Sequence, residues 1–251
     1  MKKIVTVIGA RPQFIKAAPV SKALIEAGIE EVLVHSGQHY DANMSDIFWQ
    51  ELGIPEVKHH LQVGSGTHAQ QTSQIMVKFE KILLDEESHV DAVLVYGDTN
   101  TTLGVALVAS KLNIPIIHVE AGLRSFNREM PEEINRILTD NISEYLFCSS
   151  EVSIAQLKKE NIQGKAFKVG DVMYDAFLLF SEMSQDKPSN KISEDPFSIF
   201  TLHRQSNTKD ANQVSRIIRQ LEAVPHKVLW PIHPRIAQWK DDLEIPSNVE
   251  L

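Results

Sequence analysis

Ile4-Val5-Thr6-Val7-Ile8-Gly9-Ala10-Arg11-Pro12-Gln13-Phe14-Ile15-Lys16 carries more information than any other stretch of this chain. An unbroken apolar run ends in a glycine turn, and the next helix opens with Arg11 and Lys16 in its first turns. Such a run reads as a strand buried on both faces, as in a parallel sheet. At its carboxyl edge the turn gathers two cations and several backbone N–H groups, where an open α/β sheet binds anionic ligands. The glycine spacing fits neither a Walker loop nor a G-x-G-x-x-G fingerprint. A phosphate-bearing metabolite is therefore expected, and ATP and NAD are disfavoured.

Working outward, the same grammar repeats. Lys3–Ile8, Glu31–His35, Ala92–Gly97, Ile114–Val119 and Tyr145–Cys148 read as Val/Ile-rich strands. Gln13–Ala27, Ser45–Leu52, Thr67–Glu86, Asn100–Leu112, Glu132–Ile142 and Val152–Glu160 between them read as helices. Alternation of this kind predicts an α/β fold, a Rossmann-like doubly wound parallel sheet. Residues 1–170 are expected to form this first domain. A helix over Val172–Met183 and a polar linker over Ser184–Lys191 lead into a second alternation: strand Phe197–Leu202, helix Ala211–Ala223, strand Lys227–Ile232. Residues 171–251 thus read as linker plus a partial second domain, too short for one of ordinary size.

Bulk properties narrow the function. The 251 residues are 43% hydrophobic and carry a net charge of −8. That balance argues against nucleic acid or a membrane surface as the main partner, so any phosphate site is a local basic pocket. Cys148 is the single cysteine, which excludes an intrachain disulfide and makes a cytoplasmic setting the expectation. The first apolar stretch is too short and too soon interrupted to be a signal peptide, and no run approaches the ~20 apolar residues of a bilayer span.

Several polar groups stand where strands end. Asp98 follows Val93–Gly97, and Glu120 follows Ile116–Val119. These ends line the ligand crevice of an open α/β sheet, so Arg11, Lys16, Asp98 and Glu120 should converge. Paired carboxylates beside cations can divide into general acid and general base. Plainer roles exist: Asp98 suits an N-cap for the helix that follows, and Arg124 could be the structural partner of Glu120. In Pro131-Glu132-Glu133-Ile134-Asn135-Arg136, proline and two acids are ordinary helix-start chemistry, and Glu132 and Arg136 have ion-pair spacing. Ten histidines make no zinc spacing, so no metal is expected. His203-Arg204 and His233-Pro234-Arg235 each close a strand of the second unit, which suggests anion contact from that side. Gln38-His39, Gly64–Thr67 and the tryptophans carry no decisive chemistry, and Cys148 reads as a buried, inert thiol.

Taken together, Gly9–Lys16 (GARPQFIK), Gly97–Thr102 (GDTNTT), His118–Arg124 (HVEAGLR), Pro131–Arg136 (PEEINR), His203-Arg204 and His233-Pro234 resemble the non-hydrolysing UDP-N-acetylglucosamine 2-epimerase family in order and spacing. The resemblance implies a GT-B fold of two Rossmann-like domains, the second incomplete here, and a homodimer. It implies epimerisation at carbon 2 of a UDP-N-acetyl sugar, by elimination of UDP to a glycal and re-addition. Arg11 and Lys16 would lie near the nucleotide or diphosphate, with Arg136 and His233 also binding substrate. Asp98, Glu120 and Glu132 would be the essential carboxylates and His203 a ligand-contacting catalytic residue. No cofactor is implied, because elimination and addition need no redox step.

Two departures qualify the match. Tyr40–Met44 and Thr67–Gln71 occupy the regions that form an activator site in some bacterial members. Together with Ser125–Met130 they look closer to the branch acting on UDP-2,3-diacetamido sugar uronates. The family also continues beyond Leu251 with a Gly-rich segment, so a fragment with exposed strand edges is expected. The other readings at this point are a nucleotide-sugar glycosyltransferase on the same fold and a catalytically incomplete binding module.

Overall fold

The computed structural model describes residues 2–37, 53–85, 89–185, 195–203 and 207–251. The expected helix Ser45–Leu52, the segments Gln38-His39 and Tyr40–Met44, Trp49, Arg204 and residues 186–191 of the expected linker lie outside them. The chain forms two compact units, Met1–Lys187 and Pro188–Leu251.

The first unit is built on strands β1 (Lys3–Ile8), β2 (Glu30–His35), β3 (His59–His60), β4 (Ala92–Tyr96), β5 (Ile116–Ala121), β6 (Tyr145–Cys148) and β7 (Lys165–Lys168). All pairings are parallel, in the order β3-β2-β1-β4-β5-β6-β7. The order reverses between β1 and β4, which is the switch point where doubly wound sheets bind ligands. Strand alternation sends residues to two cores. Val5, Val7, Val93 and Val95 pack with Phe79 and Ile75 of α2 (His68–Asp85) and Val105 of α3 (Asn100–Lys111). Ile4, Ile8, Leu94 and Tyr96 pack on the other side with Phe14 and Ala17 of α1 (Arg11–Glu26) and Val172 of α6 (Val172–Gln185). Burial on both faces is why β1 and β4 lack the half-polar alternation of exposed sheets. Helices α4 (Pro131–Ile142) and α5 (Glu151–Lys159) complete the unit.

The division falls at Lys187/Pro188, not after residue 170, because α6 packs against α1 and buries Val172 and Ala176 there. Short edge strands escaped sequence reading: β3 has two residues, and all four residues of β7 are exposed. The second unit holds β8 (Phe197–Ile199), β9 (Lys227–Leu229) and β10 (Val249–Glu250) in a parallel sheet ordered β10-β9-β8. Helix α7 (Ala211–Ile218) continues as a 3-10 turn over Arg219–Ala223, and a short α8 spans Pro234–Ala237. Val214, Ile218, Trp230 and Ile236 form the core of this smaller unit. Among the described residues no helix is long and apolar enough to cross a membrane.

Candidate active site

The glycine turn after β1 is tied down from within. Gln13, buried in the first turn of α1, accepts hydrogen bonds from Gly9 N (2.8 Å) and Ala10 N (3.0 Å) through Oε1. Its Nε2 donates to Tyr96 O (2.9 Å), the last residue of β4, and to Thr99 Oγ1 (3.2 Å). Gln13 N itself donates to Ala10 O at 2.8 Å. The expected cradle of open N–H groups is therefore largely spent inside the protein, which corrects the sequence expectation. Gln13 joins the two strand ends of the switch point instead. A polar side chain between Pro12 and Phe14, on a face that must be buried, was the available signal. Gly9 has no alternative, since a Cβ there would lie 1.9 Å from Ser36 Oγ and 2.7 Å from Thr101 Oγ1.

Both predicted strand-end carboxylates face cations. Glu120 pairs with Lys16, with side chains only 16% and 12% exposed, and Asp98 pairs with Arg136. Arg136 also donates through Nη1 to Glu120 O at 2.6 Å, so one guanidinium links the ends of β4 and β5. Asn135 donates to Asp98 O (2.9 Å) and to Asn100 Oδ1 (3.3 Å), adding a second link from α4. Asp98 is consequently no N-cap: Thr99 caps α3, its side chain accepting from Thr102 N. The expected Glu132–Arg136 pair is also replaced by Arg136–Asp98. Glu132 stands exposed on the face of α4 that carries Asn135 and Arg136, and its side chain makes no hydrogen bond or ion pair among the described residues. Arg11 is exposed at the start of α1.

Glu120 owes its direction to the backbone. The register between β5 and β6 shifts between Val119 and Ala121, and Glu120 has φ +69°, a left-handed value rare for a non-glycine residue. Strain of this sort collects at functional sites, where surrounding bonds over-determine it. Gly97, at φ +65°, passes beneath the pair, and a Cβ there would sit 3.3 Å from Glu120 Oε2.

Arg124 is not the partner of Glu120. Its side chain is 1% exposed, holds Glu160 through Nε (2.9 Å) and Nη2 (2.6 Å), and holds Asp140 through Nη1 (2.7 Å). Asp140 is fully buried and also binds His118 Nδ1 at 2.7 Å. Burial pushes the Asp140 carboxyl up, but the charges and hydrogen bonds of His118 and Arg124 outweigh it and leave it below the usual carboxylate range. Glu133 accepts from Ser125 N (2.8 Å), Ser125 Oγ (2.9 Å) and Phe126 N (3.0 Å), fastening the following loop to α4. Burial again opposes, and these bonds prevail, holding Glu133 below its ordinary value. Cys148 is buried, and desolvation, with the Asp140 charge, pushes its thiol up to about 11, which keeps it inert.

In the second unit, the rings of His203 and His233 lie 6.4 Å apart. Arg235 donates to His203 O at 3.4 Å, and His233 Nδ1 accepts from Arg235 N at 3.2 Å. The two strand-end histidines are thus neighbours.

The UDP-2,3-diacetamido-2,3-dideoxy-D-glucuronate 2-epimerase of Pseudomonas aeruginosa is 51% identical over 240 residues, covering 93% of this chain and 67% of that protein. The UDP-N-acetylglucosamine 2-epimerase of Methanocaldococcus jannaschii is 41% identical over 244 residues, covering 93% of this chain and 66% of that protein. This chain thus spans about two thirds of their length. A crystal structure of the M. jannaschii UDP-GlcNAc 2-epimerase in complex with UDP-GlcNAc and UDP superposes with a TM-score of 0.87 at 40% identity, covering 99% of this chain and 72% of that one. The UDP-GlcNAc 2-epimerase from Neisseria meningitidis bound to UDP-GlcNAc gives 0.86 at 28% identity, covering 99% of this chain and 71% of that one. The two parallel-sheet units, the second smaller, are those of a GT-B-like two-domain epimerase fold. Residues 22–247 match the family described as UDP-N-acetylglucosamine 2-epimerase, and the chain belongs to that family.

Proposed function

We propose that this protein epimerises carbon 2 of a UDP-N-acetyl sugar, eliminating UDP to a glycal and adding it back with the proton on the opposite face. The observation that carries this reading is the junction of two carboxylates, Asp98 and Glu120, each against a cation and linked through Arg136 at adjacent strand ends. The hydrogen on carbon 2 is weakly acidic, so its removal needs a placed base together with stabilisation of the departing diphosphate. Asp98, Glu120 and Glu132 share the proton transfers in this proposal. Arg11, Lys16, Arg136 and His233 bind the substrate, and His203 contacts it during reaction. The chemistry is redox-neutral and calls for no cofactor. The 51% identity to a diacetamido-uronate epimerase makes the uronate one candidate substrate and UDP-N-acetylglucosamine the other. Both belong to polysaccharide precursor chemistry, and the reading includes a cytoplasmic homodimer.

The test is incubation with UDP-N-acetylglucosamine or the UDP-diacetamido uronate in heavy water, without acceptor. Proton NMR should show deuterium entering carbon 2, and Glu120→Gln should suppress that exchange by orders of magnitude while circular dichroism stays native. Absence of exchange with both sugars refutes the epimerase, and full exchange in the variant removes Glu120 from the site. Conversion without acceptor also separates the epimerase from a transferase.

A further inference from the structure

The buried pair His118–Asp140 touches no position assigned to substrate, yet it binds the backbone on both sides of the reacting carboxylates. His118, fully buried in β5, directs Nε2 at Gly97 O (2.7 Å), the carbonyl immediately before Asp98. Its Nδ1 faces Asp140 Oδ1 at 2.7 Å. Asp140 Oδ2, from α4, accepts from Gly122 N (3.1 Å), two residues after Glu120. His118 and Gly122 therefore bracket Glu120 in sequence, and one carboxylate holds both. Between them lies the register shift with its left-handed residue, which needs outside restraint to persist. Carbonyl and carboxylate are both acceptors, so the ring serves as a double donor.

We infer that His118 and Asp140 are positioning residues that clamp the β5 bulge and the Gly97 carbonyl, aiming Glu120 and Asp98 at one substrate carbon. The role rests on the epimerase reading for its catalytic consequence, but the clamp itself is a property of the backbone. What matters is hydrogen-bond geometry, and charge on the pair is dispensable. Asparagine at position 140 can reproduce the set. Its Oδ1 accepts from Gly122 N and Arg124, while its Nδ2 donates to Nδ1 of a neutral His118 that still donates to Gly97 O. Alanine at 140, or phenylalanine at 118, cannot.

The experiment compares Asp140→Asn, Asp140→Ala and His118→Phe in the full chain. Displacing the carboxylates by roughly 1 Å should lower kcat about 100-fold in Asp140→Ala and His118→Phe with KM little changed. Asp140→Asn should recover kcat to within about tenfold of the unaltered protein, by the same positional reasoning. Amide hydrogen exchange reads the clamp without turnover: Gly122 N–H should stay protected in Asp140→Asn and lose protection in Asp140→Ala. If the unaltered chain fails to turn over, the epimerase reading falls while the exchange result still decides the clamp. Equal loss of kcat in Asp140→Asn and Asp140→Ala, or Gly122 protection unchanged in Asp140→Ala, overturns the inference. Should either severe variant misfold, Asp140→Asn against the unaltered protein still distinguishes geometry from charge.

Discussion

Replacing Arg136 by lysine keeps the charge and removes the fork that ties the Asp98 carboxylate to the Glu120 carbonyl. Arg136 reaches Asp98 through Nη2 and Glu120 O, at 2.6 Å, through Nη1. A single ammonium on a shorter stem reaches one of them at most. A hydrogen bond to a charged group contributes about 1.5–3 kcal/mol. The arginine side chain is 11% exposed, so water replaces its missing bond poorly; Asp98, at 33%, is compensated more easily. The net loss is therefore about 2 kcal/mol. For a unit of this size, about 2–4 °C per kcal/mol lowers the Tm of the first unit's transition by about 4–8 °C. Turnover should suffer more, because Asp98 and the Glu120 bulge lose their common tether; a shift near 1 Å lowers kcat about 100-fold. Thermal melting by circular dichroism and deuterium exchange at carbon 2 measure the two effects. A variant with both the melting point and kcat of the parent would refute the bridging role of the guanidinium.

Other consequences are as direct. Gly9→Ala drives a Cβ into the hydroxyls of Ser36 and Thr101, which share a 2.8 Å bond and are fully buried. Overpacking plus an orphaned hydroxyl should cost about 3 kcal/mol by urea denaturation, and a cost near that of an exposed Gly→Ala change would contradict the packing. Glu133 titrates below its ordinary range when folded, so its stabilisation is complete above about pH 4.3, the unfolded value, and is lost as pH falls through the lowered one. Glu133→Gln should therefore flatten the acid limb of the stability profile and lower stability at neutral pH. An unchanged acid limb would show that the Ser125 and Phe126 bonds do not hold the carboxylate.

The local pattern of this chain missed the short strands β3, β7 and β10 but was enough to place the buried central strands, the long helices between them and the strand-end acids. Those follow from which residues can be buried on two faces and from the rule that sheet ligands gather at carboxyl ends. Partnerships were not legible. Glu132 and Arg136 sit at ion-pair spacing, yet Arg136 turns to Asp98, 38 positions away in sequence. Arg124 lies beside Glu120 in sequence and spends its guanidinium on Asp140 and Glu160. Gln13, His118 and Asp140 are buried polar residues whose roles no spacing along the chain gave. Spacing along one strand or helix limits which residues share a face. Which of several acids a cation meets depends on how separate elements pack, because a buried charge takes whichever partner the fold brings within reach. Periodicity therefore determined the scaffold and its rim, and assembly of the sheet chose the ion pairs, the bulge and the direction of Glu120.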